Sequence, residues 1–235
     1  MDWQHLLYVA LPLMALMLLC QLWVKASYAK WSKVPNSKGI TGREAAYVIL
    51  RKGGVEDVRI EESSGFLSDH YSPTEKVLRL SPDNFNGHSI AAVGIAAHEA
   101  GHALQHANRY APLVVRNLAV PMASTGSMFG YLAIVIGLFM SNGNPQNPLT
   151  LLGLAGLGAV ALFQLVNLPV EFDASARALK LLPSIGILSE DENQGAKAVL
   201  TAAAMTYVAA TIAAVWELVF WMIRLGLIGG RSNDE

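Results

Sequence analysis

The chain has 235 residues, 53% of them hydrophobic and only 15% charged, with a formal net charge of −1. Apolar content this high, gathered into a few long runs, excludes an ordinary soluble domain and points to a membrane protein. The balanced charge lacks the basic field of a nucleic-acid binder, and the single cysteine, Cys20, rules out a disulfide framework within the chain.

A bilayer core of about 30 Å takes roughly 20 helical residues to cross, and four runs are long enough. The first is His5 to Val24, "HLLYVALPLMALMLLCQLWV". The short stretch Ala26 to Ala29, "ASYA", loosely resembles a cleavage site. No Lys or Arg precedes the run, however, and Lys25 follows it, so it reads as a retained anchor. Beyond it stand Lys25, Lys30, Lys33, Lys38, Arg43, Arg51 and Lys52 against one acid, Glu44, while only Asp2 precedes it. The positive-inside rule therefore puts this segment in the cytoplasm.

Residues 25–112 read as a compact water-exposed domain. "TGRE" (Thr41 to Glu44) fits a capping box for a helix that stops at Gly53 and Gly54. "VEDVRIEES" alternates like a strand, and "FLSDHYSPTEKVLRL" reads as two strands joined by the "SPTEK" turn. Ser89 or Asn86 is placed to cap a helix starting near Ile90. That helix carries "AAHEAGHALQHANRY", Ala96 to Tyr110.

His98 and His102 are i and i+4, so their imidazoles project from one helix face and can chelate one ion. Glu99 sits beside the first ligand, placed to reach a metal-activated water rather than the metal. Small Ala100 and Gly101 leave room for a second element to approach. His106 is i+8 from His98, about 12 Å along a straight helix, too far to share that ion. It reads as a helix-end or supporting residue. The extended metzincin pattern fails, because Gln105 and Asn108 stand where it needs Gly and His.

The second run, about Leu118 to Met140, and the third, about Leu149 to Leu168, carry the small-residue spacings Gly126-x-x-x-Gly130 and Ala155-x-x-x-Ala159, expected to pack helices together. Between them lies the uncharged loop Ser141 to Pro148. After the third run comes "EFDASARAL", read as a helix returning from the membrane on the same side as the histidines. Glu171, its first residue, would complete a His2Glu set suited to zinc with one open position. Asp173 is the rival third ligand. With it goes an intramembrane reading, since "SIAAVGIAAHEAGHAL" is apolar for 16 residues and "NLPVEFD" loosely resembles the Asn-Pro…Asp pattern of site-2 proteases. The fourth run begins near Ala198, passes Trp216 and continues as "ELVFWMIRLGLI". Glu217 and Arg224 there, beside Trp216 and Trp221, read as part of an interfacial belt.

"LSDHYSPTEKVLRLSPDNFNGHSIAAVGIAAHEAGHALQH", with "YAPLVVRN" after it and "VEFDASARAL" later, resembles the YugP-type membrane-bound neutral zinc metallopeptidases of bacteria over nearly the whole chain. More distantly, the layout is similar to HtpX-type and CAAX prenyl endopeptidases. The resemblance implies that His98, His102 and Glu171 bind zinc and that Glu99 is the base. HtpX-type proteins have an aspartate four residues after the third ligand, orienting a zinc-bound histidine. Ser175 stands there in this chain, so the orienting groups stay open, with Asp69, His70, Asp173 and His106 as candidates for that role or for substrate contact.

The expectation is thus a mostly α membrane protein with about four transmembrane helices and a small α+β zincin-like catalytic domain facing the cytoplasm of a bacterium. Its segments are an anchor (1–24), a catalytic domain (25–112), two spans (113–169), a third-ligand helix (170–197) and a last span with a tail (198–235). Expected function is peptide hydrolysis with Zn2+ and a water activated for attack, Glu99 acting as general base. Polypeptides, membrane proteins among them, are the expected substrates, and the strand around Val77 to Leu80 is expected to pair with them. Tyr71 or Arg177 is available for the oxyanion. A non-catalytic membrane scaffold is the remaining alternative class.

Overall fold

A computed structural model describes residues 3–65, 68–144 and 146–229. Asp2, Phe66, Leu67, Pro145 and the tail from residue 230, on which parts of the sequence reading fall, lie outside them. The chain is mostly helical and divides into two compact units. One comprises Met1–Leu18, Val115–Leu168 and Tyr207–Glu235; the other comprises Leu19–Val114 and Pro169–Thr206.

The first rod runs from α1 (Trp3–His5) through a π-helical turn (Leu6–Ala10) into α2 (Leu11–Trp31). Next come α3 (Gly42–Lys52), β1 (Arg59–Glu62), β2 (His70–Ser72), β3 (Val77–Leu80), the short α4 (Pro82–Phe85) and α5 (Ile90–Ala107). Three long helices complete the chain: α6 (Ala111–Met140), α7 (Pro148–Ser184) and α8 (Glu190–Arg224). The rod Trp3–Trp31 and helices α6, α7 and α8 are each long and apolar enough to cross a membrane. All four exceed the apolar runs that mark them in the sequence.

Local chemistry accounts for the element ends. Thr41 accepts from the Glu44 amide at 3.1 Å while the Glu44 carboxylate accepts from the Thr41 amide at 2.8 Å, so the expected capping box closes α3. The Thr41 amide and hydroxyl, both donating to the Glu44 carboxylate, hold its carboxyl below the ordinary pKa. Gly54 takes φ +72° just after the helix, where a side chain would be strained. Ser89, not Asn86, caps α5, accepting from Ala92 N at 3.1 Å.

The sheet departs from expectation in one respect that matters for function. Its order is β1-β3-β2, with β1 parallel and β2 antiparallel to β3. β3 is therefore the central strand, its two edges taken by neighbours, and cannot pair with a substrate as the hairpin reading expected. Leu78 and Leu80 are buried in a core shared with α3, α5, α7 and α8, and Val77 is buried as well. The segment after Pro169 is likewise not a separate returning helix but the second half of α7. Pro169 has no N–H to give the Leu165 carbonyl, yet the helix continues past it.

In the unit containing α6, the helix seam is built from glycines. A Cβ on Gly126 would stand 2.4 Å from Gly156 O, and one on Gly153 would stand 2.5 Å from Gly130 O. Gly126 and Gly130 act as expected, but Gly153 and Gly156 replace Ala155 and Ala159 as their partners. Glu217, read as part of an interfacial belt, is 2.9 Å from His5 Nε2 and accepts from Trp221 Nε1 at 2.9 Å.

In the other unit, α5 is approached closely by two helices. Cβ atoms added at Gly94 and Gly101 would stand 3.1 Å from Ala196 Cβ of α8 and 2.7 Å from Ala174 O of α7. Gly101→Ala is expected to destabilise the protein by about 1–3 kcal/mol through overpacking against backbone. Gly158→Ala, where an added methyl meets nothing within 4 Å, should stay within about 1 kcal/mol of neutral. Thermal unfolding midpoints in detergent compare the two; equal midpoints would mean that the α5–α7 contact yields readily.

Candidate metal centre

His98 and His102 project from the same face of α5, their ring centroids 4.7 Å apart and their planes at 83°. Where Gly101 lets α7 approach, Glu171 is brought against both rings. Its Oε2 lies 3.4 Å from His98 Nε2 and 3.5 Å from His102 Nε2. One ligand atom from each of the three side chains lies within 4.8 Å of the other two. Glu99, the acid of the H-E-x-x-H stretch, is buried and not part of that cluster.

The surroundings of Glu171 test whether a metal fits. The residue is 3% exposed, and its Oε2 is shut off from solvent without a hydrogen-bond partner. The two imidazole nitrogens are too distant for good hydrogen bonds to it. A buried carboxylate oxygen without a hydrogen bond is disfavoured unless a nearby charge offsets it. A divalent cation among these three donors would relieve that, and two imidazoles plus one carboxylate suit zinc with one coordination position open. The residues present fit a zinc ion.

Electrostatics act in the same direction. Burial disfavours the His102 imidazolium, but Glu171, helped by nearby Glu99, outweighs burial and raises the His102 pKa above its ordinary value. The site thus attracts positive charge, whether a proton or a metal.

Behind the imidazoles stand two further residues. Ser175 Oγ is 3.1 Å from His98 Nδ1, and Gln105 Oε1 is 3.0 Å from His102 Nδ1. Ser175 thus meets a histidine from the very position where the HtpX-type pattern has aspartate. Gln105 is fully buried, and its Nε2 donates to Val170 O and to Asp173 Oδ2, both at 2.8 Å. Asp173, the rival third ligand, is turned away from the cluster: its carboxylate accepts from Gln105 and from Arg177 Nε, the latter at 2.5 Å.

The other residues expected near the site have different partners. Asp69 accepts from the Ser81 amide at 2.8 Å and from Asn84 Nδ2 at 2.9 Å, tying the loop before β2 to α4. His70 is exposed, with Nδ1 2.9 Å from Ser68 O. Neither is a hydrogen-bond partner of His98 or His102. His106 lies outside the metal cluster, and its Nδ1 is 2.8 Å from the Tyr71 hydroxyl. Burial, with Asp57 adding to it, pushes Tyr71 up to about 12, so the phenol keeps its proton. Arg177, named for the oxyanion, is committed to Asp173 and stacks 5.7 Å from the centroid of Tyr110.

Gln105 is the residue that sequence reasoning missed. It drew attention only by occupying a metzincin glycine position, although its place three residues after His102 already put it next to that side chain on the helix.

Comparison with known proteins gives this chain's relatives. The family described as "Putative neutral zinc metallopeptidase" matches residues 6–226. The chain is 40% identical over 229 residues to "Putative membrane protease YugP" of Bacillus subtilis (strain 168), covering 97% of this chain and 98% of that protein. No solved structure matches the chain.

A proton on His102 competes with a metal for the same ring. Divalent-metal affinity is therefore expected to be greatest above the raised His102 pKa and to fall as pH drops through it, by about ten-fold per pH unit for one displaced proton. Zinc titrations against a chelator across pH measure this. Affinity independent of pH across that transition would exclude His102 as a ligand.

Proposed function

The chain belongs to this neutral zinc metallopeptidase family, and from that premise we propose that it is a membrane-bound zinc metalloendopeptidase of the H-E-x-x-H, gluzincin-like kind. The observation that carries the reading is the buried, unpartnered Oε2 of Glu171 converging with two imidazoles. His98, His102 and Glu171 hold zinc. When bound, zinc supplies Lewis acidity, polarising the scissile carbonyl and making water easier to deprotonate.

Glu99 takes the proton of the attacking water and passes it to the leaving amine nitrogen, so water adds across the C–N bond with no net change in protons. The basic bias after the first apolar run supports a site on the cytoplasmic side of a bacterial membrane. An extended substrate pairs with β2, because β3 is enclosed and β2 is the edge strand whose Tyr71 meets His106 of the metal helix.

Detergent-purified protein is expected to bind close to one zinc. Glu171→Ala should lose most of that affinity, whereas Asp173→Ala should still take up zinc, more weakly than wild type. Glu99→Gln should keep the zinc but lower kcat about 10²–10⁴-fold on a polypeptide substrate. Loss of zinc with Asp173→Ala and not with Glu171→Ala would replace the His2Glu reading with the intramembrane one. Wild type without zinc after metal supplementation would leave a scaffold. A photo-crosslinker at His70 is expected to capture substrate and one at Glu61 is not; the opposite result would move docking to β1.

A further inference from the structure

We propose that Gln105 is a positioning residue that selects the metal-binding tautomer of His102, and that Asp173 locks it in the orientation needed; this rests on the zinc-site reading above. An imidazole can ligate through Nε2 only when the remaining ring proton is on Nδ1. What faces Nδ1 therefore decides whether Nε2 is free for the metal.

A glutamine amide is ambiguous in this respect, since its oxygen selects one tautomer and its NH2 group the other. Here the ambiguity is removed from behind. Gln105 Nε2 lies 2.8 Å from two atoms that can only accept, the Val170 carbonyl and the Asp173 carboxylate. Both N–H groups of the amide are thereby used, and a flipped amide would set its oxygen against both acceptors. The oxygen must face His102 Nδ1, at 3.0 Å, and that nitrogen must be the donor. Nε2 is left with its lone pair toward Glu171.

Asp173 is itself held. Arg177, one helical turn on, donates to the same carboxylate oxygen, and its guanidinium lies over the Tyr110 ring. The chain of constraint thus runs from Tyr110 through Arg177, Asp173 and Gln105 to His102. The two histidines differ in this. Ser175 Oγ, beside His98, has both a donor and acceptors and selects no tautomer.

The test compares Gln105→Leu, Gln105→Glu and Asp173→Asn in the full-length protein. Zinc affinity is read by chelator competition and the melting temperature of the metal-free protein is read beside it. Leu offers His102 no acceptor, and zinc affinity should fall about 10–100-fold whatever the melting temperature does. Glu keeps an acceptor oxygen and should stay within about three-fold of wild type even if the metal-free protein melts earlier. Asn at 173 can turn a donor toward Gln105, which loosens the lock and should lower zinc affinity without unfolding the protein. The cobalt-substituted Gln105→Leu protein should also show an altered visible spectrum.

Wild-type zinc affinity in both Gln105→Leu and Asp173→Asn overturns the inference while leaving the zinc site standing. So does affinity that merely tracks melting temperature across the three variants. If His102→Ala itself binds zinc like wild type, the zinc-site reading falls and this inference with it.

Discussion

Everything around the candidate metal centre depends on how closely α7 approaches α5 at Gly101. A Cβ there would stand 2.7 Å from the Ala174 carbonyl, well inside contact distance. With hydrogen in its place, the α7 backbone comes down between the two histidines, and Glu171 and Ser175, on either side of Ala174, reach His98. The same approach buries a carboxylate in an alanine-rich core, where it would be unfavourable unless neutralised. Close packing and metal demand are thus two results of one missing methyl.

Around that contact the polar groups are arranged so that few are left unmatched. Gln105, fully buried, has partners for both its oxygen and its nitrogen, and Asp173 has Gln105 and Arg177. Beside those two residues, Glu171 Oε2 is left without a hydrogen-bond partner. A buried polar atom without a partner is uncommon in folded proteins, and one among two imidazoles has a plain explanation in a cation.

The helices of the other unit are joined differently. Where α6 and α7 meet, glycines remove side chains so that backbones touch, which suits a setting where hydrophobic burial does not drive helices together. The contact between His5 and Glu217 gives that unit a polar link between α1 and α8, with Trp221 donating to the same carboxylate. Polar groups placed inside an apolar bundle are tolerated when they find one another.

Much of this was legible in the chain by itself. Four apolar runs, the capping box at Thr41, the stops at Gly53 and Gly54, and the pairing of His98 with His102 on one face all follow from local rules. Helix period, capping chemistry and hydropathy act over a few residues or one apolar run, so neighbours in sequence suffice to read them. Glu171 was within reach because its acid follows a span and a two-histidine site needs a third donor. What only the tertiary structure decided is how segments far apart meet. The central place of β3, which of Glu171 and Asp173 faces the two histidines, and the contacts of Gln105 with Val170 and Asp173 all depend on register between elements tens of residues apart. Side chains two residues apart on α7 point in directions well apart around the helix axis. The packing at Gly101 therefore sends Glu171 to the histidines and Asp173 to the glutamine behind them, a distinction no local pattern encodes.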